Sequence, residues 1–301
     1  MRAVTQSYMR TMMSCEEKAR LRYLERMRSP TITPALPMGI AVHYGVLEAK
    51  SADDAVERFK SERAPAWLEH EADNLERDAT IVRAMVEGAL AVWTDWPKTT
   101  EKRFRVPFYN PDTGKPSTKH TFEGVFDGIW RPGERDNADP VLLELKTAGR
   151  LDSSYLERLD IDWQVSAYMA AASIVYSNPV RAMVYRIIRK PSIRQRKTET
   201  LSEFALRLSS DYKDRPEFYF EEVIVRRTDD QIRRWWYEAW ELHERILRIE
   251  NGGMTVRNSQ HCLDFGRCNY FDLCRGVSGP EAFRVIDDAH PELRRRTNHE
   301  G

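Results

Sequence analysis

The chain has no net charge, no long apolar run and very little cysteine, and each shortage narrows what it can be. Its 47 Lys and Arg are balanced by 47 Asp and Glu. That excludes a globally basic surface, so any nucleic-acid site has to be a local patch. No apolar stretch approaches the ~20 residues of a membrane span. The opening MRAVTQSYMRTMMSCEE lacks the apolar centre of a secretory leader, so a cytoplasmic protein with no membrane partner is expected. Internal repeats and low-complexity tracts are absent as well. Cysteine occurs only at Cys15, Cys262, Cys268 and Cys274. In a cytosolic chain such clustered cysteines read as metal or cluster ligands before they read as disulfides. Hydrophobic residues at 41% of 301 permit a sizeable core in one large domain or two small ones.

Hydrophobic periodicity orders the elements. Residues 6–28 read as a helix through Tyr8, Met12, Cys15, Ala19 and Tyr23. A Pro- and Thr-rich connector covers 29–37, and a short small-faced helix follows at 38–49. Ser51 caps a helix to about Glu62, and 66–95 are helical, with Trp67, Leu68, Leu75, Ile81, Met85, Leu90 and Trp93 toward a core. From Lys102 the pattern changes to a three-strand meander, RFRVPFY, KHTFEGVFDGIW and VLLELKT. Asp112 is a turn former between the first two. A helix at 153–176, strands at 179–190 and 217–227, and helices at 201–212 and 228–250 follow. Thr228 is the N-cap of the last helix. A cysteine-bearing segment comes next, and a polar tail expected to fray begins at about Asp287. This order is an α/β or α+β layer arrangement around a mixed sheet.

The chemistry concentrates between Phe122 and Lys146. Side chains alternate along a strand, so Glu144 and Lys146 share one face while Leu143 and Leu145 face the other. With Asp127 on the neighbouring strand, two carboxylates and an ammonium can converge. Carboxylates are hard oxygen ligands for Mg²⁺ or Mn²⁺, and an adjacent ammonium orients a water or stabilises charge on a phosphate. That is the minimum equipment for metal-assisted phosphodiester hydrolysis. Glu-x-Lys alone is more commonly a solvated face with a weak ion pair. Gln164 and Tyr168 lie one helical turn apart. Arg194, Arg196 and Lys197 form a basic loop that can track a phosphate backbone.

Taken in order, Cys15, Gly39-to-His43, Gly124-Val-Phe-Asp127, Glu144-Leu-Lys146, Gln164-to-Tyr168 and the three late cysteines resemble the RecB-like branch of the restriction-endonuclease-like, PD-(D/E)xK nucleases. The likeness covers Ser7 to about Gly276. It is narrowest to the iron–sulfur members: CRISPR-adaptation exonucleases, AddB-type helicase–nucleases and related phage exonucleases. The resemblance implies a mixed central sheet flanked by helices, with N-terminal helices on which a C-terminal cysteine-rich segment closes. It implies a single nuclease domain over 1–286, made of a helical part at 1–100, a catalytic core at 101–227, and a helix and cysteine-rich segment at 228–286. A flexible tail would follow at 287–301. His43, Asp127, Glu144 and the Leu145 carbonyl would hold the divalent metal, and Lys146 would position or activate water. Gln164 and Tyr168 would contact DNA near the scissile phosphate. Cys15, Cys262, Cys268 and Cys274 would hold a 4Fe-4S cluster, with zinc the runner-up for four thiolates. The Cys262–Cys268 gap of five residues departs from the family's usual two.

The activity implied is that of a metal-dependent DNA exonuclease acting at single- or double-stranded ends in recombination or end processing. A recombination or single-strand-annealing protein is the partner implied. Two other classes stay open. One is a DNA-end-binding subunit of a recombination or CRISPR-adaptation assembly with an idle nuclease. The other is a restriction-type endonuclease.

Overall fold

The computed structural model describes residues 1–29, 35–63, 72–135, 138–264 and 266–293. Trp67 and Leu68, most of the expected connector and the end of the expected tail lie outside these. In chain order the described elements open with β1 (Arg2–Thr5), α1 (Gln6–Ser14), α2 (Glu16–Ala19, continued by a π-helical Arg20–Leu24) and β2 (Met27–Arg28). They continue with α3 (Ala35–His43, continued by a π-helical Tyr44–Ala49), α4 (Ala52–Arg63) and α5 (Ala72–Val92). Next come β3 (Thr99–Tyr109), β4 (Pro116–Trp130), β5 (Val141–Ala148), α6 (Ser153–Glu157), α7 (Trp163–Val175) and β6 (Ala182–Arg189). The last are α8 (Leu201–Asp214), α9 (Pro216–Tyr219), β7 (Phe220–Arg226), α10 (Asp229–Glu250), α11 (Phe271–Cys274) and β8 (Arg284–Val285). The larger sheet mixes parallel and antiparallel strands with helices around it, the expected α/β arrangement. Among the described residues no helix is long and apolar enough to cross a membrane.

The chain divides into two compact units. One holds Met1–Thr31, Arg103–Val125 and Thr228–Arg294; the other holds Ile32–Lys102 and Phe126–Arg227. In the second unit β4 ends antiparallel to β5, with Gly128 opposite Leu143. β5 runs parallel to β6, with Glu144 opposite Tyr185, and β6 runs antiparallel to β7. Leu143 and Leu145 of β5 join Val184 and Ile188 of β6 in a core. Met38 and Val42 of α3, Phe59 of α4, Met85 of α5 and Phe204 and Leu208 of α8 complete it. Local chemistry sets the ends of these helices. Ser51 Oγ accepts the Asp54 N–H ahead of α4, and Thr200 and Glu203 form a reciprocal capping box on α8.

Two expected elements are broken here. The helix read at 153–176 is interrupted by a 3₁₀ turn at Arg158–Ile161, after which Asp162 caps α7 by accepting the Val165 N–H. The strand read from residue 217 starts at Phe220, because Pro216 opens a helical turn where its missing N–H costs nothing.

In the first unit β1 runs parallel to β4, with Val4 opposite Phe122. The β3–β4 turn is closed by Asn110, whose Oδ1 accepts the Asp112 and Thr113 N–H groups, and Asp112 is a turn residue as expected. Thr228 and Gln231 cap α10 reciprocally, and Ile232, Trp235, Ala239, Leu242, Ile246 and Ile249 bury one stripe of it. The helix read at 6–28 is a strand and two helices. β1 precedes it, and Cys15 adopts an extended backbone between α1 and α2. Residues 287–293, read as the start of a tail, end in a 3₁₀ turn with Leu293 buried and Glu292 accepting from Thr5 Oγ1 at 2.7 Å.

Candidate metal centre

Asp127 stands near the end of β4 and Glu144 and Lys146 stand on β5, and the antiparallel register brings them together. The Leu145 N–H donates to Asp127 Oδ2 at 2.8 Å. This bond fixes the aspartate against the backbone between Glu144 and Lys146. Gly128 makes the close approach possible, since a Cβ there would lie 2.6 Å from Pro97 Cγ and 3.2 Å from Leu143 Cδ2. Asp127 and Glu144 are both buried, whereas Lys146 is 32% exposed. Glu144 Oε1 takes the Lys146 ammonium and accepts the Gln164 side-chain amide at 2.7 Å. Its other oxygen, Oε2, is buried with no hydrogen-bond partner. Burial pushes the Glu144 carboxyl up to about 7, with Lys146 pulling it down and Asp127 pushing it further up. A buried carboxylate with an orphaned oxygen is suited to a cation, which neutralises the charge and fills the lone pairs.

His43 reaches the same aspartate. It ends α3, an almost wholly apolar helix packed beside β5, and its Nδ1 lies 3.6 Å from Asp127 Oδ2. Among the described residues, the donors within 4.8 Å of one another are those of His43, Asp127 and Glu101, all buried. Glu101 is not among the expected site residues and lies before the expected strand RFRVPFY, which begins at Arg103. It lies near the start of β3 with φ of +46°, a left-handed conformation that costs a non-glycine residue roughly 1–3 kcal/mol. Glu144, expected beside His43 on one ion, is outside this group.

The remaining expected site residues sit nearby or on loops. Tyr168 packs edge-on against Phe126, the neighbour of Asp127, with ring centroids 5.8 Å apart. Arg194 and Arg196 are exposed between β6 and α8, where Glu199 and Arg207 hold the loop backbone.

The four cysteines form a second candidate centre, contained in the first unit. All four line one cavity of about 350 Å³ with Tyr270 and Phe271, and none is in a disulfide. The Asn258 N–H points at Cys15 Sγ from 3.5 Å, and the Cys268 N–H donates to the Cys262 carbonyl at 2.8 Å. Burial raises the Cys274 thiol, and Glu17, Cys268 and Cys15 push the same way. Apolar and polar ties hold the segment down. Tyr270 packs with Leu21 and Met27 and donates to the Met27 carbonyl at 2.7 Å, while Glu16 accepts the Val256 N–H at 2.8 Å.

No curated protein matches the chain in sequence. A crystal structure from Eubacterium rectale bearing the name "putative exonuclease" is similar in fold, with a TM-score of 0.52 at 12% identity over 91% of this chain and 88% of that one. The sequence profile of the PD-(D/E)XK nuclease superfamily matches residues 3–275. The chain belongs to the PD-(D/E)XK nuclease superfamily.

Proposed function

We propose that this nuclease is a metal-dependent DNA exonuclease of the RecB-like, iron–sulfur branch, acting on DNA ends in recombination or end processing. The observation that carries the reading is the Asp127–Glu144–Lys146 constellation, pinned by the Leu145 N–H on Asp127. Mg²⁺ or Mn²⁺, when bound, lowers the pKa of a water and neutralises charge on the phosphodiester. Asp127, Glu144, the Leu145 carbonyl and His43, whose Nδ1 lies 3.6 Å from Asp127 Oδ2, would hold it. Lys146, about one-third exposed, orients the attacking water and meets the phosphate charge. Gln164 fixes the rotamer of Glu144 through its amide, and Tyr168 stands on the same helix face toward DNA. Arg194 and Arg196 are exposed cations available to the backbone of the strand. The reading treats 1–286 as one nuclease domain.

The cysteine cavity supports the iron–sulfur part. Four thiols outside any disulfide around one space suit a metal centre that binds them as thiolates. Anaerobic purification should give a brown protein with about four iron per chain, lost in Cys15→Ala. A colourless protein carrying zinc would replace the cluster with a structural zinc site.

End-labelled linear DNA and a closed circle, each with Mg²⁺, Mn²⁺ or chelator, test the activity. Stepwise release of nucleotides from linear ends, abolished in Asp127→Asn and by chelator, is expected. Equal cutting of the circle would make the enzyme an endonuclease. Binding of ends without cleavage under any metal would make it an end-binding subunit.

A further inference from the structure

A cavity of about 580 Å³ opens in the second unit on the chain that follows β5, with Arg150, Tyr155, Arg158 and Ile161 in its wall. It therefore stands past the carboxyl end of a strand that runs parallel to its neighbour β6, where open α/β sheets bind their ligands. Two links tie it to Glu144. Gln164, three residues past Ile161, donates to Glu144 Oε1 at 2.7 Å. Tyr185 stands opposite Glu144 in the strand register. Burial raises the Tyr185 hydroxyl, and Glu144 and then Tyr155 push the same way, so both lie within electrostatic reach of it.

Hydrogen bonds fix the wall in place. Asp152 accepts the Tyr155 N–H at 2.9 Å, and Arg189 donates to the Leu151 carbonyl at 2.6 Å. The 3₁₀ turn Arg158–Ile161 is held by Arg227, which is only 4% exposed. Its guanidinium donates to the Leu159 carbonyl at 2.6 Å, to the Asp162 carbonyl at 3.2 Å and to Ser166 Oγ at 2.9 Å. Ile161 ends this pinned turn and is 82% exposed. A single exposed apolar residue is ordinary on a protein surface. This one shares a cavity with an aromatic ring and a cation, beside the carboxylate of a nuclease.

The chemistry of the wall suits one nucleotide. The Arg158 guanidinium lies over the Tyr155 ring, 5.5 Å from its centroid, and makes no ion pair among the described residues. Guanidinium and phenol are flat π-surfaces on which a base stacks whatever its identity. An unpaired guanidinium also takes a phosphate oxygen. Two cations, Arg150 and Arg158, and two acids, Asp152 and Glu157, line the cavity. That balance fits a base with one phosphate and disfavours a run of charged backbone.

We infer that this cavity is the subsite for the nucleoside next to the scissile phosphate, its base lying against Ile161 and the Tyr155–Arg158 platform. This rests on the reading of the protein as a metal-dependent nuclease of DNA with Glu144 at its centre, so the test has to separate the two. Single-turnover cleavage of end-labelled linear DNA by the intact protein with Mn²⁺ does so. One stable abasic analogue is walked through the positions flanking the cleaved bond, which product lengths identify. The wild type should slow roughly five- to hundredfold with the analogue at one flanking position, as loss of one stacked base does, and little elsewhere. Ile161→Ala should slow cleavage of ordinary DNA severalfold and lose little more on that abasic substrate, because the base it meets is already gone. Arg158→Gln should lower the salt slope of DNA binding by about one. Tyr155→Phe should keep the platform and the wild-type pattern. Mn²⁺ affinity and melting should be unchanged in Ile161→Ala, whereas a disturbance passed through Gln164 to Glu144 would alter the affinity. Equal slowing of wild type and Ile161→Ala by every abasic substrate, or no position at which the analogue slows the wild type, would overturn the subsite and leave the nuclease reading standing. A wild type that cleaves linear DNA with no divalent cation at all would overturn that reading and the subsite with it.

Discussion

Glu16 offers a direct test of what holds the cysteine-bearing segment in place. It follows Cys15, opens α2 and is 2% exposed. Its Oε1 receives the Arg245 guanidinium through Nε at 2.9 Å and Nη2 at 2.6 Å, and its Oε2 accepts the Val256 N–H at 2.8 Å. Arg248 approaches both oxygens at 3.3–3.4 Å. One carboxylate thus ties α2 to α10 and to the strand of chain that leads to Cys262. The two arginines are about half exposed, so water replaces Glu16 for them at little cost, on the order of 0–1 kcal/mol. The bond to Val256 is different, because a charge-assisted hydrogen bond contributes roughly 1.5–3 kcal/mol. Glu16→Ala should therefore destabilise the segment by about 2–3 kcal/mol, most of it local.

Arg257 provides the readout, since it lies one residue beyond Val256 and is exposed. Opening of the segment limits tryptic cleavage there, so the rate should rise about 30- to 150-fold at 1.4 kcal/mol per decade. Loss to a chelator of the metal proposed at the four cysteines should quicken in parallel. The pH dependence has a definite sign. Burial by itself would raise the Glu16 pKa, but the Val256 N–H and the Arg245 guanidinium outweigh it and hold the carboxyl below its usual 4.5. The contribution is therefore complete above pH 4.5 and is lost as pH falls through the lowered value. Wild type and Glu16→Ala should converge in stronger acid. Equal cleavage rates at neutral pH would refute the assignment of Glu16 as the tie.

Lys146→Met should retain Mn²⁺ affinity but lose cleavage by two orders of magnitude or more, on the order of general acid–base and charge-stabilising effects; calorimetric titration beside a single-turnover assay checks the split. Gly128→Ala should cost roughly 1–3 kcal/mol through overpacking against Pro97 and Leu143 and should weaken Mn²⁺ binding by displacing Asp127, read from melting and titration. His243 is buried, stacked on Phe108 and bonded to Ser117 at 3.0 Å, and burial beside His120 lowers its pKa to about 4. Because the unfolded chain takes up that proton near 6.5 and the folded one does not, stability should fall as pH drops from 6.5 toward 4, and His243→Phe should flatten the melting profile over that interval.

How much of this could be read from the residues depended on the distance over which each feature is encoded. Asp127, Glu144 and Lys146 were legible because a strand alternates every second residue and the two strands are joined by one turn-rich loop. The N-cap at Thr228 was legible for the same reason, since Thr-x-x-Gln carries its own geometry. The break at Cys15 was not, because Tyr8, Met12, Cys15, Ala19 and Tyr23 keep a helical spacing across it. β1 was hidden too. Four residues, RAVT, make a strand only because β4 lies parallel to them more than a hundred positions later.

Two buried acids, Glu16 and Glu101, show the limit most sharply. Glu16 reads as an ordinary acidic residue within the helix expected over 6–28, one of many charges on a solvated face. It is buried because Arg245, Arg248 and Val256 return to it from some 230–240 residues away. Glu101 reads as one more charge between Thr100 and Lys102. Its burial with His43 and Asp127 depends on a backbone conformation that no side-chain pattern encodes and on two partners from other elements. A pattern rule finds residues that act through their neighbours in sequence. A carboxylate whose charge is compensated across the fold looks, in the sequence, like any solvated one, and only its burial tells them apart.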